Sequence, residues 1–222
     1  MDTASDPRIL MAEKCSRELK NLLLNSKGVG KEPPRIAEET EKKIIALKYS
    51  YLDLESMKPI LEEIKSEMVK LLELLGGKEW VKKAKTRGMD EEKIARIKFC
   101  MNIIYNLDSR LKLPPDPAYA VDIRLGEVES VWKHPNADNL KVCNVNVGRI
   151  ITVVTNEPSV KEGDKIPVAL LPPVELRGVV SEGMFIFSMQ DGSRKEGRIG
   201  NLPCLSEEEK NCVRKEVMKY LR

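Results

Sequence analysis

Histidine and regularly spaced cysteines are scarce in this chain. Its 222 residues include one histidine, His134, and five cysteines that are scattered without a Cys-x-x-Cys spacing. Zinc sites and Cys–His catalytic pairs need several such side chains, and a disulfide framework needs an even number of cysteines. The sequence therefore predicts no metal site, no cofactor and no disulfide framework, and it argues against an enzyme.

Long apolar runs are missing as well. No run approaches the ~18 residues that a membrane-spanning helix needs. The start of the chain, Met1–Asp6, is polar and acidic, unlike a signal peptide. Charged residues make up 33% of the sequence and hydrophobic residues 41%, which is typical of a globular protein with a highly charged surface. We expect a cytoplasmic protein without a membrane partner.

Charge is unevenly distributed along the chain. The net charge is +3, but residues 1–112 carry 23 basic and 19 acidic side chains, whereas residues 113–203 carry 10 and 12. A nucleic-acid site in the second segment would depend on a few placed cations or on help from the first segment. The one dense basic cluster of the sequence consists of Lys82, Lys83, Lys85 and Arg87. This cluster is either a solvated face or an auxiliary contact to RNA phosphates.

The first half of the chain has the apolar periodicity of helices. Asp6 before Pro7 predicts a capped helix start, and Asp90 before two glutamates predicts another. A stripe that runs through Tyr51 and Leu54 predicts a long helix with a kink or restart at Pro59. We expect three or four antiparallel helices whose stripes form a bundle core; a coiled-coil seam for a partner is the alternative.

After Pro117 the apolar period changes from 3.6 to 2. The alternating runs are Val121–Leu125, Cys143–Val147, Ile151–Val153 and Ile166–Leu170. Glycines and Pro172-Pro173 separate these runs, so the sequence predicts a small closed or sandwich-like β domain instead of a βαβ sheet. A capping-box pattern at Ser206–Glu209 predicts a helix at the end.

Two segments of the β region carry the most specific information. The segment His134–Asp138 is a strand–turn–strand signature in which Pro135 fixes φ and the Asn and Asp side chains can bond to nearby backbone amides. We interpret it as architecture, with His134 as a structural hydrogen-bonding residue. The segment Leu176–Met184 is a glycine-flanked loop with one guanidinium, one hydroxyl and one thioether.

Together these segments resemble the tRNA-binding domain that is appended to methionyl-tRNA synthetases. The same domain occurs in free-standing structure-specific tRNA-binding proteins and in cofactors of synthetase complexes. The resemblance covers about residues 118–192 and implies a five-stranded oligonucleotide-binding (OB-fold) barrel. The expected fold class is thus α+β multidomain. Its parts are an all-α domain for docking or homodimerisation at 1–112, a Pro-rich linker at 113–117, the barrel at 118–203 and a C-terminal helix at 204–222.

The resemblance also implies site residues. Arg177, Ser181 and Met184 match positions at the tRNA-contacting surface of the family, where they suit a phosphate, a hydroxyl and an unstacked base. Lys141 and Asn156 are expected as secondary contacts. The sequence departs from the family at Asn139, where relatives often have lysine, and in a shortened segment, 156–163, in which Glu157 adds negative charge.

The function that these observations predict is non-catalytic binding of tRNA by shape and backbone. Folded RNA hides its major-groove base edges, so a small barrel reads backbone geometry and exposed bases. The expected partner besides tRNA is an aminoacyl-tRNA synthetase, methionyl-type by resemblance. A chaperone-like or assembly protein that uses the same barrel to bind polypeptide is the alternative.

Overall fold

A computed structural model of the chain describes residues 2–187 and 195–222. The chain divides into two compact units, one up to Ala120 and the other from Val121 onward. The stretch 188–194, which the sequence assigns to the barrel, lies outside the described residues. No helix within the described ranges is long and apolar enough to cross a membrane.

The first unit is helical. Its helices are α1 (Pro7–Leu24), α2 (Glu32–Lys48), α3 (Leu54–Leu75), α4 (Trp80–Thr86), α5 (Glu91–Tyr105) and α6 (Leu107–Leu111). Helix α1 packs against α2 and α5, and α2 packs against α3. The apolar stripes are buried within this unit, as Ile44, Ile64 and Ile97 show with exposures of 0%. The stripes therefore form the core of a helical domain, as expected, but within the described residues the unit has six α-helices instead of three or four because α4 and α6 are short additional ones.

Local capping fixes most of the helix ends that the sequence predicts. The side chain of Asp6 accepts a hydrogen bond from the backbone N–H of Arg8, and Pro7 follows the cap. Asp90 accepts in the same way from Lys93 N. A carboxylate at this position satisfies an amide that the first turn leaves unpaired, so both starts are confirmed.

The stripe through Tyr51 is where the prediction is wrong. Helix α2 ends at Lys48, and Tyr51 lies in a loop with φ +54° and is exposed. The chain restarts at Asp53, whose side chain accepts from Ser56 N at 2.9 Å. Pro59 lies inside α3 without a restart. The Asp53 carboxylate thus determines where α2 and α3 are separated, because its hydrogen bond to a backbone amide competes with continuation of one helix.

The second unit is built on a curled antiparallel sheet. Its strands are β1 (Ile123–Lys133), β2 (Lys141–Asn146), β3 (Ile150–Thr155), β4 (Lys165–Ala169), β5 (Val174–Leu176), β6 (Val179–Ser181) and β7 (Met184–Phe185). Five of them pair in the order β3-β2-β1-β4-β7, while β5 and β6 form a separate hairpin. The inner face surrounds a core that includes Val145, Val153 and Phe185. This half-barrel is the OB-like fold that the sequence predicts.

The curl of the sheet depends on β1. The pairing of β1 with β2 shifts register between Val128 and Ser130, and such a bulge bends a strand. At Gly126 a Cβ atom would come within 2.6 Å of Val145 Cγ1 and 3.0 Å of Val168 Cγ2. Only glycine therefore allows β2 and β4 to approach β1 from both sides at this point.

A C-terminal helix, α7 (Glu207–Leu221), completes the chain. Ser206 and Glu209 form the predicted capping box, and Val213 and Val217 are buried on the inner face of the helix. Glu209 is itself buried and forms an ion pair with Lys195 at 2.7 Å. The carboxylate thus serves the cap and the ion pair at once.

The five cysteines are free thiols. Cys15, Cys100 and Cys143 are buried, which agrees with their interpretation as small apolar residues. A hydrogen bond with Cys15, together with burial, raises the pKa of Cys100 well above its ordinary value. Burial raises the pKa of Cys143 to about 11. Thiols with raised pKa values are poor nucleophiles, because the reactive form is the thiolate.

Candidate nucleic-acid interface

The turn between β1 and β2 is organised by its histidine. The backbone N–H of His134 bonds to Leu140 O, and the N–H of Asn136 donates to His134 Nδ1 at 3.1 Å. Because Nδ1 accepts, the imidazole proton lies on Nε2. That nitrogen is 2.9 Å from Leu176 O, to which it donates. His134 is 5% exposed, so both ring nitrogens are used inside the fold.

The hairpin of β5 and β6 meets this turn. Leu176 pairs with Val179, and the two residues between them have positive φ, +49° at Arg177 and +92° at Gly178. Positive φ at both central residues defines a type I′ turn, whose twist suits a two-residue hairpin. Asn136 Nδ2 donates to Arg177 O at 2.9 Å, and Arg177 Nη1 donates to Asn136 O at 3.3 Å.

The two segments that the sequence singles out are therefore directly joined. We call the four residues that join them, His134, Asn136, Leu176 and Arg177, the clasp. Asn136 was expected to bond to a neighbouring amide, but its side chain reaches the other segment of the sequence pair instead. In OB folds the loop after the first strand and the connection between the fourth and fifth strands bind oligonucleotides. The clasp links these two loops, since β5 and β6 lie between β4 and β7.

Arg177 holds a backbone conformation that glycine would adopt more easily. A left-handed residue with a Cβ atom costs about 1 kcal/mol or more. Strained residues of this kind persist where the surrounding structure determines them, and they concentrate at functional sites. Glycine at both positions of the turn would avoid this strain.

The guanidinium of Arg177 is exposed and forms no ion pair within the described residues. Glu182, which could have neutralised it, bonds instead to Thr152 N and lies 3.6 Å from Arg149. Glu175, the other nearby carboxylate in the sequence, is exposed on β5. The positive charge at the hairpin tip is therefore available to an external anion.

The hydroxyl of Ser181 already forms two hydrogen bonds within the β unit. The residue is 7% exposed; its Oγ accepts from Val154 N at 3.1 Å and donates to Gly183 O at 3.1 Å. The next residue, Glu182, donates its N–H to Thr152 O at 2.8 Å. Ser181 thus joins the end of the hairpin to the edge of β3. A contact to tRNA stays a prediction, and the geometry gives this side chain a positioning role.

The remaining predicted contacts lie at the rim of the sheet. Met184 is half-buried in β7, where it pairs with Ala169. Lys141 Nζ donates to Pro158 O at 2.6 Å and to Val160 O at 3.2 Å, so it braces the loop after β3. Asn156 is exposed at the start of that loop. Its neighbour Glu157 has a lowered pKa, chiefly because Ser159 hydrogen bonds to the carboxylate.

Sequence reasoning missed Lys133 and Trp132. Lys133 is exposed and lies directly opposite Lys141 in the register of β1 and β2. Like charges opposite each other are unfavourable unless an anion lies nearby. Trp132 is 44% exposed. The alternation of β1, in which Val131 points to the core, is the sequence signal that could have identified Trp132 as an outward residue.

The basic cluster of the helical unit lies on and just after α4. Its four side chains, which belong to Lys82, Lys83, Lys85 and Arg87, are exposed. Lys85 pairs with Glu91 at 2.6 Å, and Lys83 Nζ lies 3.4 Å from Gly76 O. Within the described residues this cluster is a solvated face with one ion pair. Its contact with RNA phosphates stays a prediction.

Over residues 2–187 and 195–222 there is no group of three histidine, cysteine or acidic side chains that could hold a metal ion.

Two families match the chain. The family described as "Alpha helical domain" matches residues 1–114, and the family described as "Putative tRNA binding domain" matches residues 123–206. The β unit, with its joined loops and its OB-like sheet, is therefore a tRNA-binding domain. The chain as a whole belongs to the alpha helical domain family, whose match covers more than half of its 222 residues.

Curated relatives share the β unit. The chain is 38% identical over 93 residues to the phenylalanine–tRNA ligase beta subunit of Neisseria meningitidis serogroup A, which is 36% of this chain and 12% of that subunit. It is 45% identical over 71 residues to the "Putative tRNA-binding protein YtpR" of Bacillus subtilis, which is 27% of this chain and 35% of that protein. The chain thus spans only about a tenth to a third of the length of these relatives.

The clasp generates a prediction about Asn136. Replacing Asn136 by alanine removes the bond to Arg177 O, and the loss of one such bond costs roughly 0.5–1.5 kcal/mol. We expect Asn136→Ala to lower the melting temperature slightly and to increase hydrogen exchange at the amides of Val179 and Val180. Hydrogen exchange measured by mass spectrometry or NMR tests this.

Asn139→Ala is the matched control. Asn139 is an exposed asparagine of the same turn, and no hydrogen bond of its side chain is seen within the described residues. Equal exchange in the two variants would show that Asn136 does not hold the hairpin.

Proposed function

We propose that the protein binds tRNA without catalysis, by the shape and backbone of the RNA, at the surface around the clasp. The family of the β unit and the printed names of its relatives support this proposal. The single observation that carries it is the Arg177 guanidinium, which is exposed, free of carboxylates within the described residues, and presented by a strained turn.

The proposed contacts use few charges. Arg177, Lys133 and Lys141 supply the cations at this end of the sheet, and Asn156 supplies an amide at its rim. Each neutralised phosphate contributes roughly −0.7 to −0.9 to the slope of log affinity against log salt. Three to five contacts therefore predict a slope of about −2 to −5 and a modest affinity. Met184 offers apolar area near these groups, and Ser181 positions the loop that carries Arg177.

Arg177→Gly separates function from stability. Glycine relieves the left-handed strain but also removes the bond from Arg177 Nη1 to Asn136 O, so the stability of the variant should lie within about 1 kcal/mol of that of the wild type. It also removes a charge-assisted contact to phosphate that is worth ~1.5–3 kcal/mol, so tRNA affinity should fall roughly tenfold to a hundredfold. Melting and filter binding on the same preparation measure both effects. Arg177→Lys should recover only part of the affinity, because a point charge lacks the planar fork.

Arg198→Ala is the control for loss of one arginine. Arg198 is exposed, and Gly200, two residues further on, donates its backbone N–H to Leu125 O near the start of β1. Arg177 lies at the other end of β1, against the turn that follows this strand. We expect its affinity to stay within about twofold of the wild type, as for a screened surface charge. Unchanged tRNA affinity in Arg177→Gly would remove Arg177 from the site. Absence of tRNA binding by the wild type at low salt would favour the polypeptide-binding alternative.

The basic cluster of the helical unit is proposed as an auxiliary contact to tRNA. Replacing Lys82, Lys83 and Arg87 together by alanine should weaken tRNA binding about tenfold and make the salt slope shallower by about 2. Titrations at several salt concentrations measure both quantities.

A second triple variant, which loses the same amount of positive charge, is the control for the first. Arg35, Lys42 and Lys70 are exposed on α2 and α3, so their replacement by alanine removes the same charge from elsewhere on the helical unit. If the two triple variants lose the same affinity, the cluster acts only through net charge and is an ordinary solvated face.

The partner that we propose besides tRNA is an aminoacyl-tRNA synthetase, with the helical unit as the docking or homodimerising module. The similarity to the synthetase subunit covers 36% of this chain, and the helical unit belongs to a different family from the β unit, so the helical unit is the part that we propose for recognition of a separate enzyme. Purified methionyl and phenylalanyl synthetases are the two arms of the test. We expect the methionyl enzyme to comigrate with the protein in size-exclusion chromatography; comigration of neither enzyme would contradict the proposed role.

A further inference from the structure

An exposed tryptophan lies in the strand that leads into the clasp. Trp132 of β1 is 44% exposed, whereas Trp80 of α4 is 7% exposed. An exposed apolar residue is unremarkable by itself, because much of any protein surface is apolar. The position of Trp132 in the sheet gives it significance.

Strand pairing places Trp132 on the outer face of the sheet. Val131 packs against the core, so the next side chain points to the opposite face. Trp132 pairs with Val142, which in turn pairs with Val154. Val142 is only 1% exposed although it alternates with the core residue Cys143. An apolar row thus crosses three strands, and the indole ring is its accessible end.

The clasp borders the same face. His134 continues the pairing of β1 through Leu140, so its side chain shares a face with Trp132 and lies about 6.6 Å further along the strand. The imidazole of His134 bonds to Leu176, the neighbour of Arg177. An aromatic ring and an unneutralised guanidinium therefore border one surface.

We propose that Trp132 is a stacking platform for an unpaired RNA base, so that the site takes a phosphate at Arg177 and an unstacked base at Trp132. The inference rests on the proposed function and narrows the ligand to RNA with at least one unpaired nucleotide. Stacking on an aromatic side chain tolerates any base, because every base has a π face. A blunt A-form duplex offers no such base, since its bases remain stacked inside the helix.

The cation that borders the Trp132 face favours RNA over a polypeptide as the occupant. A protein partner would also bury an exposed tryptophan, because aromatic residues are common anchors at protein interfaces. The positive charge of Arg177, however, suits a ligand that carries phosphates beside its rings. A polypeptide on this surface is therefore treated as an outcome of the test.

Fluorescence reports directly on Trp132. The chain has two tryptophans, so the difference between the wild type and Trp132→Phe isolates the emission of Trp132 without a change at the buried Trp80. We expect tRNA to quench this emission and to protect it from iodide. A short single-stranded RNA should quench it at higher concentration, and a blunt RNA duplex should leave it unchanged.

Affinities of three variants separate stacking from simple apolar contact. Trp132→Ala should weaken tRNA binding about five- to a hundredfold, the range for loss of one stacked base. Trp132→Phe should retain most of the affinity, because the ring remains. Trp132→Leu keeps apolar area without a ring, so it should resemble the alanine variant. Ile150→Ala, which removes another exposed apolar side chain of this unit, should bind as the wild type does.

Other results would overturn the proposal in distinguishable ways. If Arg177→Gly loses tRNA affinity but Trp132→Ala does not, the tRNA site stands and Trp132 is not part of it. Equal losses of Trp132→Ala for tRNA and for the blunt duplex would show recognition of shape without stacking. Loss of synthetase comigration in Trp132→Ala, with unchanged tRNA affinity and no quenching, would make the ring a protein contact. No tRNA binding by the wild type would overturn the proposed function and this inference together.

Discussion

The contact between the His134 turn and the Arg177 hairpin is the constraint on which the candidate interface depends. Strands β5 and β6 have three residues each, and an isolated hairpin of this size is not stable in water. Ser181 attaches its end to β3, while His134 and Asn136 attach its tip to the first turn. These attachments use neutral groups. The hairpin is therefore fixed in place while the guanidinium at its tip remains charged and exposed.

Two local costs to stability meet at this end of the sheet. Arg177 occupies a left-handed conformation, and Lys133 faces Lys141 across β1 and β2. Neither feature is required by the half-barrel, because glycine would suit the turn and a neutral residue would suit the strand pair. Natural sequences that fold well tend to break local rules at functional sites. Under the proposed function, a phosphate that binds here offsets the repulsion between the two lysines and gains a contact with the Arg177 guanidinium.

The sequence predicts the features that depend on interactions between residues close together in the chain, and it misses those that depend on residues far apart. Asp6 and Asp90 were identifiable as caps because the bond that they form lies within three residues. The break at Tyr51 was missed because the apolar pattern continues through it, and only the cap at Asp53 decides where the helix restarts. The fold of the β unit was predicted from two motifs. The hydrogen bonds between the two motifs join residues 41 or 42 positions apart and could not be predicted from either motif alone.

Side-chain burial is the second reason why the sequence alone did not predict the candidate site fully. Ser181 has the chemistry of an RNA contact, but its hydroxyl already bonds to the backbone of β3. Trp132 was not predicted as a site residue, although alternation along β1 gives its outward position. A strongly basic surface would attract any polyanion. Here residues 113–203 carry more acidic than basic side chains, so the long-range attraction of this segment for a polyanion is weak and the proposed site depends on short-range contacts. In the proposed site, a few placed cations and one ring select a ligand whose phosphates and unpaired base match their spacing, so the proposal makes shape the source of specificity.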